Sequence, residues 1–171
     1  KRQEQRAIAY HQAMTLEPDA RRVEFETIIE FADIQPHHNI ADFPAGGQYL
    51  FEYLAERGIS PKEYTPLETS KIFAALHDGR PARVLASDLS DLGEGQFDRM
   101  LSLAGLHHFH PREPIYERIF RSLNSGGRFV IADVWEGSVV DRFLNQYVAA
   151  NSELGHQGIF LNENDLTMLQ R

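Results

Sequence analysis

The segment Asn39-Ile-Ala-Asp-Phe-Pro-Ala-Gly-Gly-Gln-Tyr-Leu50 decides the fold class of this chain. An apolar run ends at Asp42, a short Pro/Gly turn follows, and Tyr49 to Arg57 has apolar residues along one side, as an amphipathic helix does. The pattern predicts a strand, a tight turn and a helix. In a parallel α/β sheet such a turn lies at the carboxyl end of the strand, where backbone N–H groups face a ligand. We therefore expect the ligand to bind at this turn.

Short apolar runs recur along the rest of the chain, and helical segments separate them. The predicted strands are Asn39 to Phe43, Tyr64 to Leu67, Arg83 to Ala86, Phe97 to Leu103 and Arg128 to Val134. The predicted helices are Arg6 to Met14, Ala20 to Ala32, Tyr49 to Arg57, Ser70 to His77, Pro114 to Leu123, Val139 to Ala150 and Asn162 to Gln170. Strands that alternate with helices predict a Rossmann-like α/β fold, a doubly wound and mainly parallel sheet with helices on both faces. We interpret residues 1–171 as one domain, with residues 1–35 as a helical cap and residues 36–171 as the core.

The composition restricts the kinds of partner. A chain of 171 residues with 42% hydrophobic residues can form one substantial core. Its formal net charge of -8 argues against nucleic acid, which is bound through clustered Lys and Arg. The chain has no cysteine, so disulfides and thiolate metal sites are excluded and a reducing cytoplasm is the expected compartment. No apolar run approaches the ~20 residues that cross a bilayer, so we expect no membrane partner.

Acidic residues stand at or just after the ends of the first three predicted strands. They are Asp42, Glu68 and Asp88. Because the carboxyl ends of neighbouring parallel strands meet at one edge of a sheet, we expect the three carboxylates to line one crevice. A nucleoside ligand explains the set: the second carboxylate accepts the ribose hydroxyls, the third accepts an adenine amino group, and the first faces a cation. Each residue taken alone is as consistent with a helix N-cap or a solvated loop.

The glycine spacing of the turn argues against a dinucleotide. The G-x-G-x-x-G pattern of NAD sites needs glycines at positions 44, 46 and 49, where this chain has Pro44, Gly46 and Tyr49. A G-x-G-x-G pattern fails as well, because position 48 is Gln48. In a dinucleotide site Asp42 would repel the pyrophosphate, whereas it would attract a cationic ligand. The residues favour a sulfonium nucleoside, and a nucleotide-dependent oxidoreductase remains an alternative.

Five segments between about residue 20 and residue 135 carry the most informative pattern of the chain, because they follow one another in a definite order and at definite spacings. They are Asp42-Phe-Pro-Ala-Gly-Gly-Gln-Tyr-Leu50, Leu67-Glu-Thr-Ser70, Ser87-Asp-Leu-Ser-Asp-Leu92, Phe97-Asp-Arg-Met-Leu-Ser-Leu-Ala-Gly-Leu-His-His-Phe109 and Leu123-Asn-Ser-Gly-Gly-Arg-Phe-Val-Ile-Ala-Asp133. Each segment alone is a weak signal. Together they resemble the motifs of the class I S-adenosylmethionine-dependent methyltransferases, and the resemblance implies a Rossmann-like fold with S-adenosylmethionine as the cofactor.

The resemblance also implies roles for individual residues. Backbone around Gly46 would hold the methionine part of the cofactor, Glu68 the ribose, Asp88 with the Leu89 amide the adenine, and Leu103 to Leu106 would form the floor. The implied cofactor residues are Asp42, Pro44, Ala45, Gly46, Gly47, Gln48, Glu68, Thr69, Asp88, Leu89, Leu103 and Ala104. The implied reaction is an in-line attack of a small-molecule acceptor on the sulfonium methyl. Most of its rate would come from holding the two reactants in line.

Histidines after the fourth predicted strand are the candidate general bases. His107 and His108 are the candidates, although either can equally pack the junction between strand and helix. With His110 they form a histidine-rich loop, but adjacent histidines rarely face one ion and no acidic ligand accompanies them, so no metal site is predicted. Residues 133–136, with Trp135, are an alternative lining for an acceptor pocket. Acceptor contacts are also expected from residues 6–32 and 139–158.

The chain departs from the family pattern at three places, and two of them, Gln48 and the absent last hairpin, leave a second hypothesis open. Pro44 removes a backbone donor from the turn, and Gln48 places a side chain where a close ligand normally demands none. The family's sheet also ends with an antiparallel hairpin that this chain lacks, so we expect missing C-terminal sequence or a homodimer that covers the sheet edge. The alternative to an enzyme is a catalytically silent methyltransferase-like domain that serves as a binding or assembly module.

Overall fold

The computed structural model describes residues 2–77, 79–153, 155–156 and 158–170. Its sheet consists of β1 (Asn39–Asp42), β2 (Glu63–Glu68), β3 (Arg83–Val84), β4 (Phe97–Leu103) and β5 (Leu123–Ala132). The strand order is β3-β2-β1-β4-β5, and every pair is parallel. The predicted doubly wound, Rossmann-like sheet is therefore confirmed. Winding reverses between β1 and β4, which opens a crevice at the carboxyl ends of these strands.

Helices cover both faces of the sheet. They are α1 (Arg2–Leu16), α2 (Arg22–Ala32), α3 (Tyr49–Glu56), α4 (Lys71–Ala74), α5 (Glu113–Ser122), α6 (Val139–Arg142), α7 (Ala149–Asn151) and α8 (Glu163–Leu169). Short 3-10 helices span Pro18–Arg21 and Leu106–His108, and a π-helix, Phe143–Val148, joins α6 to α7. Within the described ranges, no helix is both long enough and apolar enough to cross a membrane.

Alternating residues of the central strands divide the core between the two faces. Ala41 and Met100 pack on one face together with Ile115 of α5. Ile40 and Leu101 pack on the other face with residues of α1, α2 and α3, namely Met14, Phe25, Ile28, Ala32, Leu50, Tyr53 and Leu54. Burial of each large apolar side chain contributes about 1.5–3 kcal/mol, which explains why β1 and β4 are apolar on both faces. Helix α2, which the sequence assigns to the helical cap, thus packs directly on this face of the sheet.

Strand β3 and helix α4 each end at least two residues earlier than the sequence predicts. Strand β3 ends at Val84 rather than at Ala86, because the Ala86 N–H donates to Asp91 Oδ1 (3.0 Å) and not to the sheet. Helix α4 ends at Ala74 rather than at His77, because the next two N–H groups bond to carbonyls three residues back. At the end of β3 an Asp side chain replaces the regular backbone hydrogen bond, and at the end of α4 a tight turn does so.

Strand β5 differs from its predicted range of 128–134 at both ends. It begins at Leu123, which pairs with Phe97, and the next pair in register is Arg128 with Arg99. The predicted turn at residues 124–127 therefore forms a bulge within the strand. The strand ends at Ala132, and from Val134 the chain pairs instead with Leu161.

Candidate functional site

A cleft of about 1230 Å³ opens at the carboxyl ends of the strands. Nine of the twelve residues predicted to bind a cofactor line it, and so do both predicted catalytic histidines. These residues are Asp42, Pro44, Ala45, Gly46, Glu68, Thr69, Asp88, Leu103, Ala104, His107 and His108. Gly47, Gln48 and Leu89 do not line the cleft. The strand order has brought together side chains that are spread over more than sixty residues of sequence.

Glu68 holds the turn after β1 against the end of β2. Its side chain is 4% exposed, and Oε2 accepts a hydrogen bond from the Gly46 N–H (3.0 Å). Its Oε1 accepts from the N–H groups of Thr69 (2.8 Å) and Ser70 (2.9 Å). A carboxylate offers about four acceptor positions, so one is left for a further donor. Glu68 therefore both shapes the turn and presents negative charge to the cleft.

Asp42 is a buried carboxyl at the bottom of the turn. Only 3% of its surface is exposed, and Oδ2 accepts a hydrogen bond from the Tyr64 hydroxyl. Burial raises the pKa of Asp42 from 3.8 to about 7; the Tyr64 hydrogen bond opposes this, and the nearby Glu68 carboxylate adds to it. A cation in the cleft would favour the ionised form and would lower this pKa again. The environment of Asp42 therefore suits a positively charged ligand.

Asp88 differs from the other two acids because it lies exposed at the rim of the cleft. Its Oδ1 accepts a hydrogen bond from the Ser90 N–H (3.1 Å), and the hydrogen bonds from Ser90 lower the pKa of Asp88 below its usual value. The implied adenine contact of the Leu89 amide is not available in this structure, because that N–H donates to the Ala86 carbonyl (2.9 Å). The Leu89 side chain is fully buried in the core.

The Gln48 side chain is turned away from the cleft, contrary to the expectation that it would meet a ligand. The residue is fully buried with φ +61°, the left-handed conformation that starts α3. Its Nε2 donates to the Arg80 carbonyl (2.5 Å), and its Oε1 accepts from Arg80 Nε (2.7 Å). Gln48 therefore replaces a glycine without filling the ligand space, because its backbone conformation sends the side chain to the opposite side.

Aromatic side chains that the sequence analysis missed form one wall of the cleft. Tyr10 of α1 contacts Tyr49 (ring centroids 5.8 Å apart) and Phe73 (6.3 Å). A Cβ at Gly47 would lie 2.6 Å from the Tyr49 ring, so Tyr49 requires glycine at that position. Nothing in the local sequence pattern distinguishes Tyr10 from an ordinary helix residue. The ranges 6–32 and 139–158, from which acceptor contacts are expected, also contribute to the lining of the cleft, through Arg6, Phe25, Leu144 and His156.

His107 is held in place by Asp133. Its Nδ1 lies 2.7 Å from Asp133 Oδ1, and its backbone N–H donates to Asp133 Oδ2 (3.2 Å). Burial opposes ionisation of Asp133, but the bond and charge of His107 hold the pKa of that carboxyl below its usual value. Because a carboxylate can only accept, Nδ1 carries a proton, and in the neutral form of the ring Nε2 has the free electron pair. Trp135, suggested as an acceptor contact, does not line the cleft, whereas Val134 does.

His108 and His156 complete a group of three histidines with His107. The ring of His108 lies 4.0 Å from that of His107, and the ring of His156 lies 5.5 Å from it, measured between centroids. Burial, followed by the neighbouring His107 and His156, lowers the pKa of His108 to about 4. The three rings are therefore crowded at one wall of the cleft. His156 lies in the range 139–158, but the sequence does not place it beside His107 and His108, because it follows α7 and reaches them only through the packing of the chain.

Comparison with known proteins gives a family match. A protein-family model described as a methyltransferase domain matches residues 41–131, more than half of the chain. An S-adenosylmethionine-dependent methyltransferase of Thermotoga maritima has a similar structure, with a TM-score of 0.75, 16% identity, and coverage of 98% of this chain and 76% of that chain. A chain from the complex between the Haloferax volcanii Trm112 methyltransferase activator and a methyltransferase gives a TM-score of 0.75 at 13% identity, covering 95% of this chain and 72% of that one.

YcgJ of Bacillus subtilis is a further structural relative, with a TM-score of 0.59, 18% identity, and coverage of 72% of this chain. The chain spans 56% of the length of that protein. No match was found among curated proteins. At these identities the likeness to solved structures shows the fold.

Proposed function

The chain belongs to the family of S-adenosylmethionine-dependent methyltransferases, and we propose that it transfers a methyl group from this cofactor to a small-molecule acceptor. The observation that carries the proposal is one cleft that joins the acids at the ends of β1 to β3 with His107 at the end of β4. Its volume of about 1230 Å³ exceeds the roughly 300–1,000 Å³ of ordinary small-ligand pockets. The cleft therefore has room for a nucleoside and a small acceptor together.

Asp42 supports a cationic cofactor. Its pKa of about 7 means that burial makes the ionised carboxylate unfavourable in the free protein. A sulfonium or ammonium group would offset that cost by Coulomb attraction, whereas a pyrophosphate would increase it. The negative charge that Asp42 can present to the cleft thus fits S-adenosylmethionine better than a dinucleotide, and it disfavours the oxidoreductase alternative.

We assign the parts of the cofactor to the residues that line the cleft. The open acceptor position on Glu68 takes the ribose, Asp88 at the rim takes the adenine amino group, and backbone at Ala45 and Gly46 takes the methionine part. Leu103 and Ala104 form the floor. Pro44 lies beside this floor and also lines the cleft. Its ring packs against Gly105, where a Cβ would lie 2.1 Å from Pro44 Cγ.

The cofactor supplies a methyl group bonded to a positively charged sulfur. In the proposed step the acceptor nucleophile bonds to the methyl carbon as the carbon–sulfur bond breaks, and the electron pair of that bond stays on sulfur. The acceptor's proton passes to Nε2 of His107. Asp133 holds the Nδ1 proton, so in the neutral ring Nε2 is the nitrogen that can accept a proton, and for that reason we assign the base to His107 rather than His108.

Calorimetry on the full-length protein tests the proposal. We expect one molecule of S-adenosylmethionine or S-adenosylhomocysteine to bind per chain, and the Glu68→Ala variant to lose that binding. His37→Ala is the matched control, because His37 is exposed and lies outside the cleft. Absence of both heat and a thermal shift at millimolar ligand would overturn the proposal. Binding of NADH in preference to either nucleoside, seen by fluorescence, would favour the oxidoreductase.

The hypothesis of a catalytically silent domain rested on two observations, Gln48 and the absent last hairpin, and the structure removes the first. It depended on Gln48 as an obstacle to the cofactor, and that side chain is bonded to Arg80 outside the cleft. A homodimer stays a prediction from the sequence, and light scattering of the purified protein measures it directly. The net charge of -8 continues to argue for a small acceptor over nucleic acid.

A further inference from the structure

We propose that His107, His108 and His156 form a binding site for one divalent transition-metal ion, and that zinc is the ion it fits best. Each ring offers one nitrogen, and these atoms all lie within 4.8 Å of one another. The sequence predicted no metal site, because two adjacent histidines rarely share an ion. Packing supplies the third histidine from the segment after α7. The proposal goes beyond the function above, which needs no metal.

The hydrogen bonds of His107 prepare its Nε2 to bind a metal. Asp133 is fully buried and accepts from Nδ1 (2.7 Å). Metal-binding histidines usually donate their second ring N–H to a carboxylate or a carbonyl, which fixes the tautomer and makes the ligand nitrogen more basic. The Asp133–His107 pair has this arrangement. It leaves Nε2 with its electron pair directed away from Asp133.

His156 is prepared in the same way by Asn145. The Asn145 side chain bonds to both backbone groups of Gly158: Nδ2 donates to the carbonyl (2.9 Å), and Oδ1 accepts from the N–H (3.1 Å). This pair of bonds fixes the orientation of the amide. Because Oδ1 is also 3.0 Å from His156 Nδ1, that ring nitrogen must donate. His156 therefore also presents an unprotonated Nε2.

Three structural features hold the segment around His156 against the other histidines. Asn145 lies in the π-helix, a rare element that is frequent at functional sites. Gly158 fits closely between the rings, since a Cβ there would lie 2.8 Å from His107 Cδ2 and 3.0 Å from His156 Cε1. The Ile159 N–H also donates to the His107 carbonyl (3.0 Å). The three histidines are thus parts of one packed unit and do not meet by chance on a surface.

Donor type favours a transition metal, and the charged groups beside the cluster are of opposite sign and largely offset one another. Arg6 faces the cluster from α1, where it bonds to the Gly155 carbonyl (2.9 Å), and the Asp133 carboxylate supplies the opposing negative charge. Three neutral imidazoles suit zinc, copper, nickel or iron better than magnesium or calcium, which prefer oxygen. Zinc bound at about 2.0–2.1 Å needs nitrogen atoms ~3.3 Å apart, so the rings must move inward by about an ångström.

Three protein ligands leave a fourth zinc position open, as in catalytic zinc sites. All three histidines line the cleft, so a ligand bound there can reach that position. If the proposed methyl transfer is correct, on which this consequence rests, an acceptor oxygen bound to zinc would release its proton to solvent more readily. The ion would then take over the role assigned to free His107 Nε2.

Metal titration of the full chain, with any polyhistidine tag removed, tests the site. We expect one Zn²⁺ per chain by calorimetry, and Co²⁺ should give the visible absorption of a tetrahedral complex. His108→Ala and His156→Ala should each weaken binding at least about 10-fold. Asn145→Ala should weaken it about 10-fold to 100-fold, as is typical when the partner of a metal-binding histidine is removed. His37→Ala should bind like the parent protein.

Circular dichroism of each variant confirms that it is folded before its affinity is interpreted. No saturable binding of Zn²⁺ or Co²⁺ to the parent protein would overturn the proposal, and so would an affinity that His156→Ala leaves unchanged. These titrations contain no methyl donor or acceptor. Failure of the metal site therefore leaves the proposed methyl transfer standing, and failure to bind S-adenosylmethionine leaves the metal site standing.

Discussion

Replacement of Asp42 by Asn should stabilise the protein at neutral and alkaline pH. The carboxyl is buried beside Glu68, and its pKa is raised to about 7. Asn has nearly the same shape and can still accept the Tyr64 hydrogen bond through its side-chain oxygen. It carries no charge at any pH. The substitution therefore removes the electrostatic cost of Asp42 and keeps its packing.

The size and sign of the effect follow from the pKa of Asp42. Below about pH 3 the carboxyl is largely protonated in both the folded and the unfolded states, so the two proteins should be about equally stable there, and their difference should still be small at pH 4. Between pH 4 and 7 the unfolded state releases the proton while the folded state keeps it, so the free energy of unfolding of the natural chain falls as pH rises. Each pH unit costs about 1.4 kcal/mol, which amounts to roughly 4 kcal/mol above pH 7.

Urea unfolding of both proteins from pH 4 to pH 8 measures this difference. Asp42→Asn should become more stable than the natural chain by roughly 4 kcal/mol at pH 8, or about 8–16 °C in melting temperature. Asp88→Asn is the matched control: the pKa of exposed Asp88 is lowered, so its removal should not stabilise the protein at high pH. A constant difference between Asp42→Asn and the natural chain across this range would refute the reasoning.

Three further substitutions test the site and its support. Glu68→Gln weakens the charged hydrogen bonds to Gly46 and its neighbours, so unfolding free energy should fall by about 1–3 kcal/mol and calorimetry should show weaker cofactor binding. Arg112→Met leaves buried Asp165 without its partner and should cost about 3–5 kcal/mol in urea; a loss below 1 kcal/mol would contradict a structural role for the pair. Gln48→Gly should leave cofactor affinity within about 3-fold of the natural chain, since the side chain lies outside the cleft, and should cost about 1 kcal/mol of stability; a large gain in affinity would instead support the silent-domain hypothesis.

The strands and the acids at their ends could be predicted because their signals are local. Apolar runs bounded by glycine and proline mark β1 and β4, and a parallel sheet necessarily aligns the carboxyl ends of its strands. The sequence therefore predicts Asp42 and Glu68 in one crevice, and they line one cleft. Element ends were less predictable. A single hydrogen bond from the Ala86 N–H to the Asp91 carboxylate is enough to shorten β3.

Side-chain direction and long-range pairing were decided only by the tertiary structure. The sequence by itself determined the sheet, its winding and the acidic crevice, because hydrophobic periodicity and strand ends are properties of short segments. It could not show that Gln48 turns toward Arg80, since that depends on one left-handed backbone angle. Nor could it show that Asp133 holds His107 or that His156 joins it, because these contacts exist only when distant segments pack together. The turn after β1 was thus determined locally, and the arrangement of histidines and Asp133 at the other wall of the cleft was determined by packing.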